Sequence, residues 1–321
     1  MIYIFKMNRT FLSYILVMLL LLGCKNTELK PHEGFVEVTG GKIWYRVYGE
    51  GNKTPLLALH GGPGSSSYSQ TPLKALSKDR PVILYDQLGC GRSTRITDTT
   101  LMTVDRYVEE LEQLRKALNL KDFCLFGHSW GPALGFSYYL KYPDEVKALI
   151  LSSPYLSTEL WMKDADILIA TLPDSVQAVI RENEKNKTFD NEAYKGAVDL
   201  FYSKYLRRVE RSQEKIDSSK AMFGSNVYEY MWGPSEFTAI GTLLPFDQTD
   251  RLKDITVPTL LLTGEYDEAR PSTVNYFHSL IPGSEFTVIK NSGHVTLNDN
   301  PEQTLARLDE FLRKIDDLNE H

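Results

Sequence analysis

A serine hydroxyl framed by two glycines, directly after an apolar run and directly before a helix-like one, occurs at Gly127-His128-Ser129-Trp130-Gly131. The strand predicted to enter it, Phe123-Cys124-Leu125-Phe126, must turn sharply into a helix at about Pro132. The glycines two before and two after Ser129 permit the close backbone approach that such a turn demands. Ser129 then stands exposed at the carboxyl end of a strand. A hydroxyl is a weak nucleophile until a base takes its proton, and the base needs an acid to hold its tautomer. Both are found downstream, each just past a predicted buried strand. Thr259-Leu260-Leu261-Leu262-Thr263-Gly264 leads into Glu265-Tyr266-Asp267-Glu268, and Phe286-Thr287-Val288-Ile289-Lys290 leads into Asn291-Ser292-Gly293-His294. Spacing alone leaves Glu265, Asp267 and Glu268 open as the acid. The turn residue furthest from the strand yet compatible with a short side chain favours Asp267. His60 and His128 belong to motifs of their own, and His32, His278 and His321 have no post-strand position.

Attack on a carbonyl builds negative charge on its oxygen, which needs backbone amides fixed in advance. His60-Gly61-Gly62-Pro63-Gly64 follows the third predicted strand. An amide from that loop and one from the residue after the nucleophile, here Gly62 and Trp130, are the expected donors. The loop lacks the lysine and hydroxyl of a phosphate cradle. No Cys or His spacing suits a metal, and acyl transfer by this constellation requires no cofactor.

The elements that must position these residues read as strands alternating with helices. Phe35 to Val38 and Ile43 to Gly49 alternate apolar with polar around Thr39-Gly40-Gly41-Lys42, which predicts an antiparallel hairpin. Leu56 to Leu59, Val82 to Tyr85, Phe123 to Phe126, Leu149 to Leu151, Thr259 to Leu262 and Phe286 to Ile289 are short unbroken apolar runs, expected of strands covered on both faces. Between them Val104, Tyr107, Val108, Leu111, Leu114 and Leu118 repeat at helical spacing. The fold class is therefore α/β with a mostly parallel sheet. From residue 154 to 254 the alternation stops, and apolar residues fall at helical spacing among many charges. A structureless loop of about 100 residues is improbable, so this stretch is expected to be a helical cap between strands six and seven, over the edge where such sheets bind ligands. The implied organisation is a signal segment at 1–23, a tether at 24–33, a core at 34–153 and 255–321, and the cap at 154–254.

Composition narrows the partners. The chain has 321 residues, 42% of them hydrophobic, and a net charge of -6, which gives no basic footprint for nucleic acid. Lys6 and Arg9 precede the apolar run Phe11 to Leu22, too short for the roughly 20 residues of a membrane span but suited to a secretory signal. The run ends Leu21-Leu22-Gly23-Cys24, which resembles the lipobox of bacterial lipoproteins. That resemblance implies an acylated Cys24 and a cell-envelope protein anchored to a membrane by lipid. Cys90 and Cys124 are then left as small buried residues.

His60-Gly61-Gly62-Pro63-Gly64, Asp86-Gln87-Leu88-Gly89-Cys90-Gly91-Arg92-Ser93 and Gly127-His128-Ser129-Trp130-Gly131 together resemble the proline iminopeptidase branch of the α/β hydrolases, from about Gly34 to the carboxyl end. Met231-Trp232-Gly233-Pro234-Ser235-Glu236-Phe237 looks like a cap segment of that family, with Trp232 where asparagine is usual. Leu88 stands where arginine or phenylalanine is common. The resemblance implies a serine aminopeptidase acting on short peptides or amino acid amides, whose free amino group is held by carboxylates matching Glu236 and Glu268. The rival is an esterase, lactonase or amidase of the same fold with no amine requirement. A pure binding protein would have no use for nucleophile, base, acid and oxyanion loop together, and epoxide hydrolases and dehalogenases place an aspartate where Ser129 stands.

Overall fold

Unbroken apolar runs need cover on both faces, and one eight-stranded sheet arranges it. The computed structural model describes residues 29–319. The signal segment, Cys24 and the first part of the tether lie outside the described residues. The strands are β1 (His32–Val38), β2 (Gly41–Tyr48), β3 (Leu56–Leu59), β4 (Val82–Tyr85), β5 (Phe123–His128), β6 (Val146–Ser152), β7 (Thr259–Gly264) and β8 (Glu285–Ile289). They lie in the order β1-β2-β4-β3-β5-β6-β7-β8. β2 runs antiparallel to both β1 and β4, and the remaining pairings are parallel.

Alternation along the central strands splits each run between two cores. Leu57, Leu59, Ile83, Leu125, Leu149 and Leu261 face one side, where α1 (Val104–Ala117), α2 (Trp130–Lys141) and, further along the chain, the helix at Pro271–Leu280 pack. Leu56, Ala58, Val82, Phe126, Ile150 and Leu260 face the other, against the helix at Pro301–Asn319 and the 3-10 helix Ser67–Leu76. Both sets are buried, as a doubly covered sheet requires. β8 departs from this expectation. It is the sheet's edge, and residues 285 to 288 are half-buried.

The hairpin is tighter than the sequence suggested. Thr39 and Gly40 alone form its turn, and pairing starts at His32 opposite Val47. β6 starts earlier than its apolar run: half-buried Lys147 interrupts the pattern and is skipped by the ladder, in which Phe123 pairs with Val146 and Cys124 with Ala148.

Between β6 and β7 come α3 (Thr158–Ile169), α4 (Asp174–Asn186), α5 (Glu192–Phe201), a π-helical turn at Tyr202–Leu206, α6 (Gln213–Met222) and α7 (Ser225–Met231). These helices have a small core of their own, in which Ile169, Ile180, Tyr194, Phe201 and Phe237 meet. The segment is thus a packed helical unit set on the sheet's carboxyl edge rather than a long loop. Among the described residues no helix is long and apolar enough to cross a membrane.

Candidate active site

The turn between β5 and α2 is a single residue wide. Ser129 sits between them with φ 61° and ψ -110°, a conformation that a residue with a Cβ adopts only under constraint. Two glycines impose it. A Cβ on Gly127 would lie 2.5 Å from the Gly131 carbonyl carbon, and one on Gly131 would lie 2.3 Å from the Leu59 oxygen. The Ser129 amide donates to the Ser152 carbonyl at 3.0 Å, and its carbonyl accepts from the Tyr155 amide at 3.0 Å. The hydroxyl is thereby held above the end of β5.

Trp130 begins α2, so its amide has no acceptor within the helix. Gly62, at φ +112°, lines the same narrow pocket as Ser129. Gln87, just past β4, ties the two loops together. Its side chain donates to the His60 carbonyl at 3.1 Å and accepts from the Trp130 indole at 3.1 Å, and its amide donates to His60 Nε2 at 3.0 Å. Leu88 is buried in the core and presents its amide to the Glu110 carboxyl at 3.1 Å, which gives it a structural role.

Of the three acids after β7, the fold selects Asp267. Its Oδ1 lies 2.8 Å from His294 Nδ1. Its oxygens also accept from Ser153 Oγ at 2.6 Å, Thr263 Oγ1 and the Gly264 amide at 3.0 Å, and the Ala269 amide at 2.8 Å. Burial works to raise its pKa, but His294 and these donors prevail and hold the carboxyl below its usual range. His294 goes the other way. Burial would lower it, yet Asp267, Glu268 and Glu236 together raise it to about 9. Glu265 instead accepts from the Asn291 amide at 3.0 Å, outside this group.

His294 Nε2 makes no hydrogen bond among the described residues, and none joins it to Ser129. The two side chains line one cavity without a hydrogen bond between them, a looseness common before substrate arrives.

Glu268 is buried at 3% exposure, and neither of its oxygens has a hydrogen-bond partner among the described residues. Its Oε1 lies 3.8 Å from His294 Nε2. Burial and the neighbouring Glu236 push its pKa well above the carboxylate range. Burial raises Glu236 as well, against the opposing pull of His294, Tyr228 and Arg207. A buried carboxyl with nothing to bond is costly unless a cation comes to it. Glu236 reaches the site from the cap on a clamped backbone. The Trp161 indole donates to its carbonyl at 2.8 Å, its amide donates to the Tyr202 hydroxyl at 3.1 Å, and the adjacent Phe237 is locked in the cap core.

Two spaces meet at Ser129. One is a narrow pocket of about 10 Å³, lined by Tyr155, Trp161, Trp232, Leu243, Pro63 and Glu236. Trp232 is therefore a pocket wall, edge-on to Tyr155 and Trp161. The other is a cavity of about 460 Å³ between cap and core, reached by Ser129, His294 and Glu236. The cap also grips the loop that carries His294. The His294 and Val295 amides donate to the carbonyls of Tyr205, at 2.9 Å, and Leu206, at 3.2 Å, in the π-helical turn.

Three contributors were not foreseen. His128 Nε2 donates to the His294 carbonyl at 2.9 Å, with the rings 4.7 Å apart. Burial and His294 lower its pKa to about 3, so it is neutral. Ser153, at φ 48°, donates to Asp267, and Gln87 braces the two amide loops. All three lie at or within two residues of a strand's carboxyl end, which is the signal in the sequence that could have marked them.

A mostly parallel sheet, a strained serine after its fifth strand and an acid and histidine after its last two define a class, and residues 54–301 match the alpha/beta hydrolase fold family. The chain belongs to that family. Its sequence is 47% identical over 285 residues to a proline iminopeptidase of Heyndrickxia coagulans, covering 88% of this chain and 99% of the relative. Among solved structures it resembles that of VinJ, with a TM-score of 0.85 and 34% identity over 89% of this chain and all of that one. It also resembles a proline iminopeptidase of Mycobacterium smegmatis, with a TM-score of 0.82 and 32% identity over 89% of this chain and 99% of that one.

Proposed function

We propose that the protein is a serine aminopeptidase of the proline iminopeptidase kind, which releases one apolar amino-terminal residue from short peptides or amino acid amides. The observation that carries this reading is the pair of carboxyls beside Ser129 and His294, Glu268 buried and Glu236 half-buried. A substrate ammonium entering a site shielded from water needs opposite charge and acceptors, and Glu268 has two unengaged oxygens to offer. The similarity to proline iminopeptidases over most of the chain supports the same conclusion.

In this reading His294 takes the Ser129 proton as the hydroxyl attacks the scissile carbonyl, and Asp267 stabilises the imidazolium. The Gly62 and Trp130 amides hold the oxyanion. His294 passes its proton to the leaving amine, and a water activated by the same imidazole releases the acyl group from Ser129. The aromatic pocket, with space for about one water, favours a small apolar first residue such as proline or alanine over phenylalanine.

The test is release of arylamine from prolyl, alanyl, leucyl and phenylalanyl arylamides, each free and amino-acetylated, with Ser129→Ala as the blank. Turnover of the free forms alone supports the proposal. Equal turnover of acetylated forms refutes it in favour of an esterase or amidase without an amine requirement.

For location, we infer export and lipid anchoring at Cys24 from the charged, apolar and Leu-Gly-Cys order of residues 6 to 24. Radiolabelled palmitate incorporated by the full chain but not by Cys24→Ala would support this. A label that persists in the variant would overturn it.

A further inference from the structure

The large cavity has a charge polarity that amine recognition does not use. Glu236 lines it near Ser129, and Arg207 and Arg211 line it too. Both arginines follow the π-helical turn of the cap, and both are half-buried. Among the described residues neither has a carboxylate within ion-pair distance, whereas Arg80, Arg115 and Arg270 each hold one. Among the described residues the Arg211 guanidinium donates only to Ser219 Oγ, at 3.2 Å.

Lys74 and Lys215 add positive charge to the same lining, whereas two other charged neighbours are committed elsewhere. Arg208 stacks its guanidinium on Tyr266 at 3.8 Å and donates to the Lys204 carbonyl. Asp299, the other acid of the cavity, accepts from the backbone amides of Arg208, Val209 and Gly293. It is already occupied in capping two loops.

We propose that Arg207 and Arg211 form a subsite for the free carboxylate of the departing peptide, so that the cavity selects di- and tripeptides by both of their charged ends. The proposal rests on the aminopeptidase reading and adds the leaving-group side to it. An aminopeptidase substrate of this length is a zwitterion, with its ammonium at the scissile residue and its carboxylate about 3.5 Å further along for each added residue. The carboxyls at one end and the guanidinium pair beyond them match that order. Arg207 lies within electrostatic reach of Glu236 and Glu268, while the charges acting on Arg211 are Arg207 and Tyr68. Burial and the repulsion of Arg207 lower the pKa of Arg211, a strain that an anion between the two would relieve. A planar guanidinium is also the side chain best shaped to bind a carboxylate by two parallel hydrogen bonds.

The subsite is tested with Pro-Ala-Ala and its carboxyl-terminal amide, measuring kcat/KM for the wild type, Arg211→Gln and Arg211→Lys. The wild type is expected to favour the free acid by about tenfold, chiefly through KM, and the preference should shrink as salt is raised. Arg211→Gln should bring the ratio near one, and Arg211→Lys should restore part of it. Equal use of acid and amide by the wild type, or an unchanged ratio in Arg211→Gln, overturns the subsite. Prolyl arylamide, which carries no carboxylate, separates the two readings. If it is cleaved while the ratio is flat, only the subsite fails. If neither it nor the peptides are cleaved, the aminopeptidase reading fails with it.

Discussion

Replacing Glu268 with glutamine removes one charge while keeping the shape of the side chain, and its effects on binding and on the pH profile differ in sign. When both groups are ionised, unit charges separated by the 3.8 Å between Glu268 Oε1 and His294 Nε2 interact by about 4 kcal/mol at an effective dielectric of 20. In the free enzyme that attraction holds the proton on His294, whose pKa burial would lower but which Asp267, Glu268 and Glu236 raise to about 9. A base must be neutral to accept the serine proton, so activity in the wild type should climb as pH rises towards 9. Glu268→Gln deletes one of the raising charges. His294 should then titrate lower, and the rising limb of kcat/KM against pH should move down the scale. The same substitution removes half of the proposed ammonium site. Breaking a buried pair costs about 3 to 5 kcal/mol, so kcat/KM on a free aminoacyl arylamide should fall by at least about a hundredfold at its optimum. Profiles of kcat/KM from pH 5.5 to 10, with melting curves to confirm folding, read both effects. A lower plateau with an unmoved limb would refute the electrostatic link between Glu268 and His294. A moved limb with an undiminished plateau would refute the ammonium site.

Gln87→Ala removes the brace between the His60 carbonyl and the Trp130 indole, so it should lower kcat by about ten- to a hundredfold with KM nearly unchanged, because the loosened amides matter most when the oxyanion forms. Equal losses in kcat and in substrate affinity would contradict that assignment. Glu110 is buried, and its pKa is raised by burial to about 8 against the opposing Leu88 amide, so the folded state keeps its proton where the unfolded chain has lost it. Its contribution is fully present below pH 4.5 and is lost as pH rises towards 8. Glu110→Gln should flatten the wild-type decline in urea midpoint over that interval, and a decline of unchanged slope would count against it.

Much of this was legible because burial leaves a mark in residue type. The runs at Leu56, Val82, Cys124 and Leu260 are apolar on both faces, since helices cover both, and the glycines around Ser129 are there because no Cβ fits. Asp267 and His294 could be found because each follows such a run. Contacts between distant segments leave no such mark. Asp267 and Glu268 are adjacent in sequence and similar in type, yet one collects hydrogen bonds from Ser153, Thr263, Gly264 and Ala269 and the other collects none. Their opposite pKa shifts come from His294, Ser153 and the Gly264 amide around Asp267, which outweigh its burial, and from burial and Glu236 of the cap around Glu268. Trp232 could be suspected as a wall, but the narrowness of its pocket comes from Tyr155 and Trp161, which approach from elsewhere in the chain.

The hydrogen bonds from the His294 and Val295 amides to Tyr205 and Leu206 make the cap an interlock. The base loop is fastened to the part of the cap that any swing for substrate entry would displace. A swing that frees Tyr205 and Leu206 strips the loop of two backbone restraints and carries Glu236 away with the cap. The π-helical turn thus carries both the base loop, through the Tyr205 and Leu206 carbonyls, and the Glu236 backbone, through the Tyr202 hydroxyl, so the proton acceptor and one carboxyl of the site share a single support.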